Sequence, residues 1–93
     1  MTITDEELAT IHLIAAGSDY TNFRILKLLP SSINEISKKL CFHSSSLNNR
    51  VNRLEYFGLV ERDRTKGTIS LSQFGSYFLN TVTLIGTKSK LYI

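Results

Sequence analysis

Apolar residues recur along this chain with a helical spacing, change to strand-like alternation after residue 59, and return to a helical spacing. Leu8, Ile11, Ile14 and Ala15 form the first stripe. Thr4 and Glu7 have the spacing of a capping box, and Ile3 and Leu8 that of a hydrophobic staple. Asp5, Glu6 and Glu7 suit the positive end of a helix dipole, and Gly17 is expected to end the helix. Asp19 is expected to cap a second helix running through Leu29, with Ile25, Leu26 and Leu29 inward. Pro30 closes it, because a residue before proline avoids helical geometry.

Ser32-Ile33-Asn34-Glu35 is a second capping box, opening a helix with Ile33, Ile36 and Leu40 inward and Lys38 and Lys39 outward. Cys41-Phe42-His43 makes a corner, with Phe42 as its plug, and Ser44 or His43 caps the next helix. Leu47, Val51 and Leu54 form that helix's buried stripe. Ser45, Asn49, Asn52 and Tyr56 lie opposite, with Ser46 and Arg53 beside them. Gly58 stops the helix. A strand from Val60 to Arg64 reverses through Thr65-Lys66-Gly67, and Ile69 and Leu71 alternate with polar residues on the return. Ser72 is expected to cap a last helix to about Ile85, broken by Gly86. Phe74, Phe78, Val82 and Ile85 form one stripe of it, with Leu79, Thr83 and Leu84 around them. So broad an apolar surface exceeds what one small domain needs, and the excess predicts a dimer interface. The tail from Thr87 to Ile93 alternates weakly and either extends that interface or frays.

At 93 residues the chain has room for one domain, which as a monomer would have a thin core. Nothing near the start resembles a signal peptide, because Asp5, Glu6 and Glu7 sit where a basic leader would be. No apolar run reaches membrane-spanning length, so no membrane role is expected. One cysteine, Cys41, excludes an intrachain disulfide and fits a reducing, cytoplasmic setting. Charge is unevenly spread. Residues 1–23 hold four acids and no Lys or Arg; residues 24–93 hold all 11 Lys and Arg against four acids. An acidic head on a basic body points to one surface that meets a polyanion.

Several pieces, in order, carry a family resemblance. They are Arg24-Ile25-Leu26-Lys27-Leu28-Leu29, Ile33-Asn34-Glu35-Ile36-Ser37-Lys38-Lys39-Leu40, and the run from Ser45 to Leu54. Glu55-Tyr56-Phe57-Gly58-Leu59-Val60 and Leu71-Ser72-Gln73-Phe74-Gly75 follow, the latter resembling a Leu-Thr-x-x-Gly closure with serine for threonine. The whole resembles the winged helix-turn-helix transcription regulators of the broad MarR-like and ArsR-like class, of small archaeal or viral type, over roughly residues 5–85. The resemblance implies a mainly α fold with a small β-hairpin: one domain over 1–93, a helix-turn-helix at 32–57, a wing at 59–72 and a dimerisation helix at 72–85. It also implies a homodimeric regulator of promoters, nucleoid-associated, with recognition helices about 34 Å apart.

The residue chemistry points the same way. Ser44, Ser45 and Ser46 are short enough for DNA to approach, and Asn49 and Asn52 have the amide geometry that pairs with adenine. Arg53 or Arg50 can reach guanine or phosphate, Arg50 suiting phosphate better. Arg62, Arg64 and Lys66 mark the hairpin, whose shortness favours a phosphate clamp over minor-groove reading or a plain solvated hairpin, with Lys38 and Lys39 as further phosphate contacts. Leu8, Ile11, Phe74, Phe78, Leu79, Val82 and Ile85 are expected in the dimer interface. A plain solvated helix face, a nonspecific chromatin-like binder and a winged helix used for protein–protein assembly are the competing readings. Cys41, His12 and His43 fall short of a zinc set, no cofactor is expected, and no nucleophile–base pair or phosphate loop suggests an enzyme. No small-molecule effector can be named from the residues.

Overall fold

Side chains hold the first free amides of most helices, and those caps set the element boundaries. In the computed structural model, which describes residues 2–89, α1 spans Asp5–Ser18, α2 Tyr20–Leu28, α3 Ile33–Leu40 and α4 Ser44–Tyr56. Strands β1 (Val60–Asp63) and β2 (Thr68–Leu71) then lead into α5 (Gln73–Ser89). Both predicted capping boxes form. Thr4 and Glu7 exchange hydrogen bonds of 3.0 and 3.1 Å, and Ser32 and Glu35 exchange bonds of 3.0 and 3.2 Å. Asp19 caps α2 by accepting the Asn22 amide at 3.0 Å. Leu29 lies just past α2 in extended backbone, one residue earlier than the periodicity suggests, as the following proline demands.

Among the described residues there are five helices and one antiparallel hairpin, a layout compatible with a winged-helix arrangement. The register pairs Val60 with Leu71, Glu61 with Ser70, Arg62 with Ile69 and Asp63 with Thr68. Ser31 adds a single bridge to Ile69, with reciprocal bonds of 3.0 and 2.8 Å, and so ties the hairpin to the α2–α3 connection. The core draws on every element, with α1 contributing Ala16. Ile25 and Leu26 come from α2, Ile36 from α3, and Leu47, Val51 and Leu54 from α4; Leu59, Val60, Ile69 and Phe78 close it. Each such side chain contributes roughly 1.5–3 kcal/mol on full burial. Phe42 packs half-buried against this core, as the corner plug should.

Three sequence expectations need correction. Gly17 does not end α1, which continues to Ser18; it is a contact point. A Cβ there would lie 2.6 Å from the Phe78 ring, so the absence of a side chain is what lets α5 approach α1. Gly86 does not break α5, which runs on to Ser89. Glycine inside a helix costs about 1 kcal/mol relative to alanine, too little to stop an established helix. Phe78, expected between copies of the chain, is 7% exposed and belongs to the chain's own core. Lys90, Leu91, Tyr92 and Ile93, the end of the alternating tail, lie outside the described residues.

α1 therefore presents two apolar sides. Leu13, Ala16 and Gly17 pack inward, while Leu8, Ile11, Ile14 and Ala15 are exposed. No helix among the described residues is long and apolar enough to cross a membrane.

Candidate functional site

Leu47, Val51 and Leu54 bury one side of α4, which turns its polar side outward. Ser45, Asn49, Asn52 and Tyr56 form an exposed stripe there, and Tyr56 is 84% exposed. The stripe carries no acid. α3 leads into α4 through Cys41, whose left-handed backbone (φ 59°) caps α3 by donating its amide to Ser37 O at 2.9 Å. The Ser37 hydroxyl fixes the same corner by donating to Phe42 O at 2.6 Å. Cys41 itself is exposed, not packed into the corner.

His43 takes the N-cap position of α4 but supplies no side-chain bond, and Ser44 sits within the first turn. The expectation that one of them caps α4 is therefore met in position only. Ser44, Ser45 and Ser46 are all exposed, so this helix start is both uncapped by side chains and lined with hydroxyls.

One flank of α4 faces α1 and α2. Ser46, Asn49, Arg50 and Arg53 line an open groove of about 520 Å³ with Ala16 and Asp19. Further along, Asn52, Arg53, Tyr56 and Phe57 border a second groove of about 560 Å³ with Ala9 and His12. The two helices therefore run antiparallel, which puts the acidic first turn of α1 beyond the C-terminal end of α4. Arg50 is committed on this flank. Its Nη1 donates to Asp19 Oδ1 and to Asn22 Oδ1, each at 2.9 Å. Asn22 is buried and donates its own Nδ2 to Ala16 O at 2.8 Å, so Arg50 completes a polar joint between helices. Arg53 remains exposed and stacks over the Phe57 ring at 5.3 Å.

The other flank faces the hairpin. Arg62 is only 13% exposed and donates to three acceptors on α4. Those are Asn52 Oδ1 at 2.6 Å, Asn48 Oδ1 at 3.3 Å and Asn48 O at 3.4 Å. Arg62 and Arg64 were expected to act alike as a clamp, yet their positions differ. Arg64 is 74% exposed beyond the end of β1 and, among the described residues, makes only a 3.6 Å ion pair with Glu55. By strand alternation Arg62 and Arg64 both share a face with the buried Val60, so the pattern alone does not separate them. Asp63 is a residue that pattern reading missed. Its Oδ1 accepts the Thr65 and Lys66 amides at 3.0 and 3.1 Å and shapes the turn that presents Lys66.

The hairpin and the start of α3 enclose an open groove of about 490 Å³, lined among others by Ser32, Asn34, Arg64 and Lys66. Lys38 and Lys39 are exposed in the last turn of α3, where they complement its dipole. The Ser32 amide and hydroxyl hold the Glu35 carboxyl below its usual range, with smaller help from Lys39 and Lys38. Among the described residues, no three His, Cys, Asp or Glu side chains are placed to hold a metal ion.

Of the expected interface residues, Leu8, Ile11, Phe74 and Ile85 are exposed, while Leu79 and Val82 are half-buried against the core. Leu84, part of the broad apolar surface expected on the last helix, is exposed too, and Ile3, Ile14 and Tyr77 add exposed apolar surface not assigned to the interface from sequence.

Compared with protein-family models, with curated proteins and with solved structures, the chain matches none.

Proposed function

We propose that this chain is a winged-helix regulator that binds double-stranded DNA sequence-specifically, as a homodimer, at promoters. α4 is its recognition helix and the β1–β2 hairpin its wing. The observation that carries this reading is the open, acid-free stripe of Ser45, Asn49 and Asn52, bounded by basic side chains on both flanks. A stripe that reads base edges must be uncovered, short near the helix start and furnished with donors and acceptors, and this one meets all three conditions. Phosphate contacts fall to Lys38, Lys39, Arg53, Arg64 and Lys66, all exposed, and to the amides at the start of α4.

The second copy covers the apolar faces that one chain leaves open on α1 and α5, centred on Leu8, Ile11, Phe74 and Ile85. An enzyme role finds no support in the residue chemistry, and neither a cofactor nor a membrane enters the reading. Occupancy of a promoter by such a dimer acts by excluding or recruiting the transcription machinery, which places the protein with the nucleoid.

Arg62 directs its guanidinium at α4, and Nη1 of the partly exposed Arg50 is bound to Asp19 and Asn22, which leaves fewer free cations for phosphate than a charge count suggests. That favours a reader of sequence over a chromatin-like binder that relies on phosphates alone. One observation favours assembly with another protein: Tyr56, a large aromatic, stands 84% exposed at the end of the stripe. Enrichment of bound duplexes from a randomised library separates the readings. A single recovered motif supports the regulator, binding without a motif supports the chromatin-like protein, and no binding supports assembly.

A further inference from the structure

We propose that Arg62 is a positioning residue: it orients the Asn52 amide on the reading face and joins the hairpin to α4. The proposal rests on the DNA-reading role given above to the α4 stripe. Asn48, Asn52 and Glu55 lie at intervals of four and three residues, so they form one edge of α4 turned toward the hairpin. A single guanidinium meets all three. Nη2 donates to Asn52 Oδ1 at 2.6 Å and Nη1 to Asn48 Oδ1 at 3.3 Å. Nε is buried without a hydrogen bond and lies 3.6 Å from Glu55 Oε1, an ion-pair distance.

A solvent-exposed asparagine amide is free to present either its oxygen or its nitrogen. The short, charge-assisted bond from Arg62 removes that freedom. It draws Oδ1 of Asn52 toward the hairpin, and Nδ2 is left to serve the open side of the stripe. Asn52 then acts chiefly as a donor, suited to the N7 or O6 of guanine, the N7 of adenine or the O4 of thymine. The N4 amino group of cytosine, itself a donor, is disfavoured there. Asn49, which has no such partner on the hairpin side, keeps both amide functions for a two-point contact. Movement of the hairpin is thereby linked to the reading face, because Arg62 belongs to β1 while Asn52 belongs to α4.

Arg62→Lys tests the idea, since it keeps the charge but loses the planar fork that reaches Asn48 and Asn52 together. With the full chain and a library-selected duplex, discrimination against the scrambled duplex should fall roughly 5- to 150-fold, the range for one specific base contact. In an Asn52→Ala background, Arg62→Lys should cause no further loss. Additive losses would overturn the proposal, because they mean that Arg62 does not act through Asn52. Arg62→Gln should leave the salt slope of binding unchanged; a drop of about 0.9 would make Arg62 a phosphate contact instead.

The link can also be followed without DNA. The Asn52 Nδ2 proton pair should shift in the NMR spectrum of Arg62→Lys, with circular-dichroism melting confirming a folded chain, and an unmoved pair overturns the proposal. A wild-type chain that binds selected and scrambled duplexes alike defeats the DNA reading, while the NMR result still decides whether Arg62 holds Asn52.

Discussion

Gly75 sits where two elements come closest: a Cβ built there would lie 1.9 Å from the Leu59 carbonyl oxygen. Backbone cannot yield as a flexible side chain can, so Gly75→Ala should destabilise the fold by about 1–3 kcal/mol or more, read from the midpoint of urea unfolding. An unchanged midpoint would mean that α5 is not held against Leu59. Glu35 offers a pH-dependent test at the same scale. Its carboxyl is held below its ordinary value of 4.5 by Ser32, so folding favours the charged form. That stabilisation is fully present above pH 4.5 and is lost as the pH falls through the lowered value. Glu35→Gln should therefore show a shallower loss of stability than wild type below that pH, and parallel curves would contradict the cap. Arg64 and Lys66 are the exposed cations of the turn. Replacing either with alanine should lower the salt slope of DNA binding by about 0.9 while moving stability by no more than about 0.5 kcal/mol.

At the scale of elements, most of the architecture was legible because it depends on local chemistry. The capping boxes at Thr4 and Ser32, the Asp19 cap and the Leu47-Val51-Leu54 stripe are short-range patterns, and each forms as read. What the sequence did not yield depends on partners far along the chain. Gly17 reads locally as a terminator, and only the approach of Phe78 from α5 makes it a packing site. Arg50 and Arg62 read as surface cations, and only the folded neighbours Asp19, Asn22, Asn48 and Asn52 draw them inward. The bridge between Ser31 and Ile69 has no sequence signature at all, because one residue pair carries no period. The outer stripe of α4 was legible for a simpler reason: Ser45, Asn49, Asn52 and Tyr56 stay exposed wherever the buried stripe lies opposite.

Over the whole molecule, the shape shows a fold with projecting parts. Its radius of gyration is 14.3 Å with extents of 45 × 33 × 23 Å, against roughly 12 Å for a compact chain of this length. The outer face of α1 and the distal half of α5 account for much of the exposed apolar surface. Pairing of two copies through those faces should make the melting temperature rise with protein concentration. Leu8→Glu combined with Ile11→Glu should give a folded monomer by sedimentation velocity and weaken DNA binding, because each chain then meets only one half-site. A wild-type chain that stays monomeric at high concentration would contradict the pairing.

The central claim is that the α4 stripe reads base sequence, and competition binding at one fixed salt concentration tests it most directly. A library-selected duplex and its scrambled version would be compared for the wild-type chain and for Asn49→Ala. The account predicts that wild type prefers the selected duplex by roughly 10³-fold or more, and that Asn49→Ala loses about 1–3 kcal/mol of that preference. Equal affinity of the wild-type chain for both duplexes would contradict it.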